Sequence, residues 1–137
     1  ERYTGVRDYM DNVRAEAKKD LYVQTIMGRR IYVKEINAAN GLRRQAAERA
    51  AINAPLQGSA ADIIKKAMLD VDAWIADEAS DTTKMIMQVH DELILEVKKS
   101  ESEDVLNKVK EIMEAAVGLK IPLIVEASIG SNWNEAH

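Results

Sequence analysis

Apolar side chains recur every three or four positions at the start of the chain, and the period then changes. The first series has the spacing of one helix face and predicts an amphipathic helix over about residues 1–20: Tyr3, Val6, Met10, Val13 and Ala17. Two β-rich runs follow, Tyr22–Ile26 and Arg30–Val33, around a turn that contains Gly28. We expect a hairpin in which Gly28 takes a positive φ, because glycine lacks the Cβ that makes this conformation costly.

The middle of the chain has the pattern of two helices separated by a proline. An Ala- and Arg-rich segment predicts a helix from about Leu42 to Asn53, and Pro55 is expected to end it because proline lacks an N–H donor. Ser59, with Asp62 three residues on, resembles a capping box before a long apolar stripe. The stripe predicts a second helix over about 59–78, although its start could lie nearer the proline.

The last third of the chain has the pattern of a hairpin, a helix and a strand. Residues 84–89 and 93–97 are apolar strand-like runs, and Ser100 with Glu103 resembles a capping box for a helix that Gly118 would stop. Alternating apolar residues predict a final strand over 123–129. The order of elements predicts an α+β domain, in which helices back one face of an antiparallel sheet.

Three polar residues, His90, Asp91 and Glu92, form the predicted tip of the later hairpin. If both apolar faces point to one core, the tip is a three-residue loop and the expected pairs are Val89–Leu93, Met87–Leu95 and Met85–Val97. Such a loop usually contains one residue at positive φ, which Asp, Asn and His tolerate better than most. We therefore expect local strain at the tip, and such strain is often retained at functional sites.

Composition narrows the classes of site that the chain can hold. Cysteine is absent, which excludes disulfides and thiolate metal sites and is compatible with the cytoplasm. No leader-like or membrane-spanning run is visible in the sequence. The chain starts with Glu1 inside a predicted helix, and we expect it to begin within a larger protein.

The charge is distributed unevenly along the chain. The first 66 residues hold 13 Lys and Arg against 8 Asp and Glu, whereas residues 67–137 hold 6 against 15, within a net charge of −4. A polyanion would bind the basic half.

The acidic tip has a functional and a simpler interpretation. Asp91 and Glu92 offer the oxygen ligands that Mg²⁺ prefers, with His90 beside them as a hydrogen-bonding group. Two-metal phosphoryl or nucleotidyl transfer needs carboxylates from at least two places in a fold, so the tip is at most half of such a site. The alternative is that a charged tip only keeps the hairpin soluble.

Polar donors repeat along the predicted Ala-rich helix. Gln45, Arg49 and Asn53 are four residues apart, and Gln57 follows the proline. These side chains suit phosphate, sugar and minor-groove acceptors, and the small alanines between them would let a nucleic-acid backbone approach. The alternative is an ordinary Ala-rich helix with its polar residues in solvent.

Four sequence blocks together resemble the C-terminal end of the family A DNA polymerases. In chain order they are TIMGRR, RRQAAERAAINAPLQGSAADIIKKAM, MIMQVHDELILEV and NWNEAH. The resemblance implies that residues 1–45 are the end of the fingers region returning to the palm and that residues 46–137 are the C-terminal palm subdomain. It also implies template-directed nucleotidyl transfer, in which a primer 3′-hydroxyl attacks the α-phosphate of a deoxynucleoside triphosphate.

The resemblance also assigns roles to individual residues. It implies that Asp91 is the palm carboxylate that binds catalytic Mg²⁺, that Glu92 is an auxiliary ligand, and that His90 lies near the primer end. The residues it implies in DNA binding, to primer, template or backbone, are Arg29, Arg30, Arg49, Asn53, Gln57 and Gln88. The implied partners are primer-template DNA and a dNTP, the latter held by segments outside this chain, in a cytoplasmic, monomeric parent protein with no membrane association.

Two expected parts of the family pattern have no match in the sequence. One is the palm motif whose Asp supplies the other essential metal ligand, and the other is the fingers helix whose Lys, Arg and Tyr hold the nucleotide. We therefore expect the chain by itself to be inactive. A non-catalytic nucleic-acid-binding module remains the main alternative. A metal-dependent phosphohydrolase is disfavoured because the only histidines are His90 and His137.

Overall fold

The structure, a computed structural model, describes residues 3–136 and contains the first predicted helix as α1, Thr4–Asp20. The prediction for residues 1 and 2, and the role considered for His137, lie outside the described residues. Leu21 ends α1 in a left-handed conformation, with its amide bonded to the Ala17 carbonyl at 2.9 Å. This conformation satisfies one of the carbonyls that a helix C-terminus leaves without an intrahelical partner.

The first predicted hairpin is confirmed with slightly shorter strands. Strand β1, Tyr22–Gln24, pairs antiparallel with β2, Arg30–Tyr32, and Gly28 has a φ of +78°. Val23 and Ile31 are paired on the face that packs into the first core. A short 3₁₀ turn, Lys34–Asn37, then leads to the next helix.

The prediction that Pro55 ends a helix is wrong, because a single helix α2 runs over Gly41–Trp74. Its start is capped by Asn40, whose Oδ1 accepts hydrogen bonds from the amides of Leu42 and Arg43 at 3.0 and 3.2 Å. A proline removes one backbone hydrogen bond from a helix interior. Here the packing of residues before and after the proline outweighs the loss of that hydrogen bond. The buried residues of α2 are Ala47, Ala51, Ile52, Gly58, Ser59, Ala67 and Val71.

The predicted capping roles of two serines are also wrong. Ser59 lies inside α2 and is buried, and its hydroxyl accepts a hydrogen bond from the Ile26 amide at 2.9 Å. Ser100 lies in a 3₁₀ turn, Lys99–Glu101, which precedes helix α3, Ser102–Ala115. The N-terminus of α3 has no side-chain capping hydrogen bond. The C-terminal end of α2 continues into a π-helical turn, Ile75–Ala79.

The second hairpin is confirmed, but its predicted register is wrong. Strand β3, Thr83–Val89, pairs with β4, Glu92–Val97, so that Met85 faces Leu95 while Met87 faces Ile94. The shift between these pairs is a β-bulge at Ile86, where one extra residue enters a single strand. The bulge changes the side-chain alternation, leaves Met87 42% exposed, and shortens the turn to His90 and Asp91.

The predicted final strand is absent from the described residues. Residues 121–130 have no regular secondary structure, and a four-residue helix α4, Trp133–Ala136, follows them. A strand forms only where a neighbouring strand accepts and donates its backbone hydrogen bonds. Here the Val125 amide donates instead to Glu114 Oε1 at 3.0 Å.

The chain forms two compact units, of which the first ends at Asp62 and the second begins at Ile63. The first unit buries a core between α1, the β1–β2 hairpin and α2: Ala17, Val23, Val33, Ile36, Ala47 and Ala51. The second packs β3 and β4 against α2 and α3 around another core: Val71, Ile75, Val105 and Val109. The α+β class is therefore confirmed, although its strands form two separate two-stranded sheets. The assignment of residues 1–45 and 46–137 to fingers and palm stays a prediction.

Among the described residues, no helix combines the length and the apolar character that crossing a bilayer requires.

Candidate metal-binding turn and nucleic-acid interface

The turn of the second hairpin presents its polar residues to solvent. His90 has a φ of +53°, and both His90 and Asp91 are exposed, while Glu92 is half-buried at the start of β4. A two-residue hairpin turn needs a positive φ at its first position, so the bulge in β3 explains why this backbone conformation falls on His90. Gln88 Nε2 donates a hydrogen bond to the His90 carbonyl and braces the strained residue.

The donor atoms at this turn suit a hard divalent cation but do not complete a site. Asp91 and Glu92 bring adjacent carboxylates, which are ligands that Mg²⁺ accepts. Within residues 3–136, no cluster of three or more Asp, Glu or His side chains is arranged to hold a metal ion. Asp91 and Glu92 therefore offer at most two carboxylates to a metal ion. That they bind one stays a prediction.

Three of the predicted DNA-binding residues form a solvent-facing row on α2. Arg49, Asn53 and Gln57 are all exposed and lie four residues apart, on the side of the helix opposite Ala51 and Gly58, which are buried. A helix turns about 100° per residue, so a spacing of four keeps the side chains on one face. Because α2 is continuous through Pro55, Gln57 belongs to the same row, which the predicted helix break would have prevented.

Arg29, the first of the two predicted basic residues on the hairpin, is held by contacts within the chain. Its Nε donates to Asp62 Oδ1 at 2.8 Å, and its Nη2 donates to the Gly58 carbonyl at 3.0 Å. The Asp62 side chain is only 13% exposed, and from its position inside α2 it pairs with Arg29 instead of taking part in the capping box expected from the sequence. No local sequence signal indicates this pair, because 33 residues separate its members.

Arg30, the second, is exposed and oriented by aromatic contacts. Its guanidinium carbon lies 4.6 Å from the centre of the Tyr22 ring, and Tyr22 meets Tyr32 edge-on at 5.9 Å. A cation over a ring face is attracted by the ring quadrupole, which limits the rotamers of the arginine. The outer face of the hairpin therefore presents a positive charge that packs over the Tyr22 ring.

The predicted site residues divide between the two compact units. The first holds the basic and amide donors: Arg29, Arg30, Arg49, Asn53 and Gln57. The second holds the residues of the turn: Gln88, His90, Asp91 and Glu92. Their roles in catalysis and DNA binding stay predictions.

Sequence reasoning missed Tyr9, which forms a hydrogen bond to α2, the helix that carries the row of proposed DNA-binding residues. The Tyr9 hydroxyl donates to the Ile52 carbonyl at 3.0 Å, from α1 to α2. Tyr9 lies outside the apolar series of α1, and no local pattern could reveal a contact 43 residues away.

The sequence of the chain is similar to those of curated bacterial proteins. The chain is 51% identical over 136 residues to DNA polymerase I of Pseudomonas aeruginosa, a match that covers 99% of this chain and 15% of that protein. It is 48% identical over 136 residues to DNA polymerase I of Bacillus caldotenax, with the same coverage. The chain thus spans about 15% of the length of these curated relatives.

A solved structure is similar to the chain along nearly its whole length. It is the POL domain of Pol1 from M. smegmatis, in complex with DNA primer-template and dNTP. The TM-score is 0.94 at 47% sequence identity, and the match covers 98% of this chain and 24% of that one. The family model for DNA polymerase family A matches residues 1–135. By sequence and by fold, this chain belongs to DNA polymerase family A.

Proposed function

We propose that the chain supplies one metal-binding corner and the duplex-contacting helix of a template-directed DNA polymerase. The observation that carries the proposal is the exposed Asp91 at a two-residue turn whose strained neighbour, His90, is braced by Gln88. A carboxylate on a paired hairpin is held more precisely than one on a long loop, as a metal ligand requires.

The proposed reaction joins a primer 3′-hydroxyl to the α-phosphate of a dNTP, with pyrophosphate as the leaving group. Asp91 would hold Mg²⁺, with Glu92 as an auxiliary ligand, and His90 contacts the primer end. When bound, the metal would supply charge stabilisation in the transition state. Further carboxylates and the nucleotide-binding side chains come from segments outside this chain.

The basic and amide residues of the first unit bind the primer-template duplex in this proposal. Arg49, Asn53 and Gln57 reach the primer and template from one helix face, where amide and guanidinium donors meet the acceptors of the minor groove. Arg30, whose guanidinium packs over the Tyr22 ring, contacts the DNA backbone through its positive charge. We further propose that the protein acts as a monomer in the cytoplasm.

A chimeric polymerase tests the proposal. In it, residues 1–137 replace the matching segment of the P. aeruginosa DNA polymerase I. We expect the chimera to extend a primer, and Asp91→Asn to lower the extension rate at least about a hundredfold, because it weakens charge stabilisation in the transition state. Affinity for primer-template DNA should change less than about threefold, since metal binding and duplex binding use different residues.

The matched control is Asp81→Asn, which removes an exposed carboxylate from the turn before β3. It should leave the extension rate unchanged. A chimera that unfolds cooperatively and binds DNA but does not extend primers would favour a non-catalytic binding module. Full synthesis by the Asp91→Asn chimera would contradict the metal-binding role, and primer extension by residues 1–137 alone would contradict the need for further segments.

A further inference from the structure

Helix α2 has a built-in defect within the row of proposed DNA-binding residues. Pro55 lies between Asn53 and Gln57 and has no N–H, so the Ala51 carbonyl loses the donor that a regular helix would provide. Prolines are a common cause of helix kinks, and a small change of bend there would alter the angle between the two side chains. The row therefore needs support from outside the helix to keep one geometry.

Tyr9 supplies such support on the N-terminal side of the proline. Its hydroxyl, on the neighbouring helix α1, donates to the Ile52 carbonyl at 3.0 Å. Ile52 is itself buried, so the contact is shielded from water on that side. Burial raises the pKa of Tyr9 above its usual value, in keeping with a partly buried hydroxyl that donates a hydrogen bond.

Arg29 supplies support on the C-terminal side. Its Nη2 donates to the Gly58 carbonyl at 3.0 Å, while Asp62 holds the Nε end of the same guanidinium at 2.8 Å. The two bonds use the fork of the guanidinium, a geometry that lysine cannot reproduce. Gly58 makes room for the approach, since a Cβ there would lie 2.7 Å from Thr25 Cγ2 and 3.3 Å from Arg29 Nη2.

We propose that Tyr9 and Arg29 are positioning residues that brace α2 on both sides of Pro55 and so fix Asn53 and Gln57 for duplex binding. The inference rests on the proposed function. It assigns Arg29 an indirect role, through the helix, in place of the backbone contact expected from the sequence. The two braces come from different elements, α1 and the β1–β2 hairpin, and both end on α2 carbonyls.

Double-mutant cycles in the chimeric polymerase test the proposal. Tyr9→Phe and Arg29→Gln should each raise the Kd for primer-template DNA about threefold to tenfold, the effect of one lost hydrogen bond. In a background that carries both Asn53→Ala and Gln57→Ala, the same substitutions should change Kd less than about twofold. This loss of effect follows because a brace matters only while the side chains it positions are present.

The salt dependence of binding separates positioning by Arg29 from a direct phosphate contact. A direct contact would lower the slope of log Kd against log salt by about one when Arg29 is replaced. A positioning role leaves the slope unchanged. Asp62→Asn should raise Kd as much as Arg29→Gln does. Arg29→Lys is a milder change, but it should still cause most of this increase in Kd, because lysine keeps the charge but loses the fork.

Matched controls remove the same chemical groups where no brace exists. Ser100→Ala removes a hydroxyl from an exposed serine, and Lys66→Gln removes an ion pair with Asp70 on α2 itself. Both should leave Kd within about twofold of the parent chimera. All affinities are measured at a temperature where circular dichroism shows each variant to be folded.

The outcomes separate this inference from the proposed function. Additive effects in the Asn53→Ala and Gln57→Ala background, a reduced salt slope for Arg29→Gln, or a Kd for Tyr9→Phe equal to that of Ser100→Ala would each overturn the positioning role. A folded chimera that fails to extend primers overturns the proposed function itself. Extension by the chimera, together with non-additive cycles, supports both.

Discussion

The Ile26 amide donates a hydrogen bond to the Ser59 hydroxyl at 2.9 Å, which fastens the loop of the first hairpin to the middle of α2. Ser59 is 8% exposed, whereas Ile26, whose amide it holds, is 54% exposed. We expect Ser59→Ala to lower the local free energy of opening by about 1 kcal/mol, the net contribution of one hydrogen bond. Hydrogen exchange of the Ile26 amide in the chimeric polymerase measures it, with Ser100→Ala, at an exposed serine, as the unchanged control.

Gly58 sits where the hairpin approaches α2 most closely. A Cβ at this position would lie 2.7 Å from Thr25 Cγ2 and 2.8 Å from Ile31 Cδ1, well inside van der Waals contact. Gly58→Ala should therefore lower the free energy of unfolding by about 1–3 kcal/mol, although alanine favours helices. Urea denaturation of the 137-residue chain measures the change. Gly5→Ala in α1, with open space around it, should be neutral or stabilising, and equal effects at the two sites would contradict the close contact.

The positive φ of His90 makes the turn sensitive to side-chain shape. A β-branched residue fits the left-handed region worst, whereas glycine enters it without strain. We expect His90→Val to unfold at lower urea concentration than His90→Gly, with a difference of about 1–2 kcal/mol. Equal midpoints for the two variants would mean that His90 does not need this conformation.

Arg30 and Asn53 are expected to bind DNA through different parts of the duplex. The guanidinium of Arg30 is exposed over the Tyr22 ring and is proposed to contact a phosphate. Arg30→Gln should therefore lower the slope of log Kd against log salt by about one in the chimeric polymerase. Asn53→Ala should weaken binding without changing the slope, because an uncharged amide releases no counterion. Identical slopes for the two variants would contradict this division.

An ion pair between α1 and α2 gives the first unit a dependence on acid pH. Lys18 Nζ lies 2.7 Å from Glu48 Oε1, and this hydrogen bond holds the pKa of Glu48 below its ordinary value of 4.5. The pair therefore stabilises the folded chain fully above pH 4.5, and its contribution is lost as the pH falls through the lowered pKa. Urea denaturation across this range should show a weaker pH dependence for Glu48→Gln. An unchanged dependence would assign the acid sensitivity to other carboxylates.

Local sequence patterns identified most elements of the fold and the candidate residues. The apolar periods located α1 and both hairpins, because these features depend on neighbours within a few residues. The positive φ at Gly28 followed from the residue type alone. The preference of His for a left-handed turn likewise anticipated strain at the tip of the second hairpin. The resemblance to family A polymerases depended on four sequence blocks and was confirmed by the family match.

Only the tertiary structure decided the features that depend on distant contacts. Pro55 stays inside α2 because the helix is packed both before and after the proline. Ser59 is a buried acceptor because the loop of the first hairpin reaches it. Residues 121–130 form no strand, since a strand needs a partner that its own sequence cannot supply. The bulge at Ile86 set the turn that presents Asp91, while Met85, Leu93 and Leu95 pack on the second core. A local sequence pattern sets the preference for a secondary structure, whereas packing between residues far apart in sequence decides which structure forms.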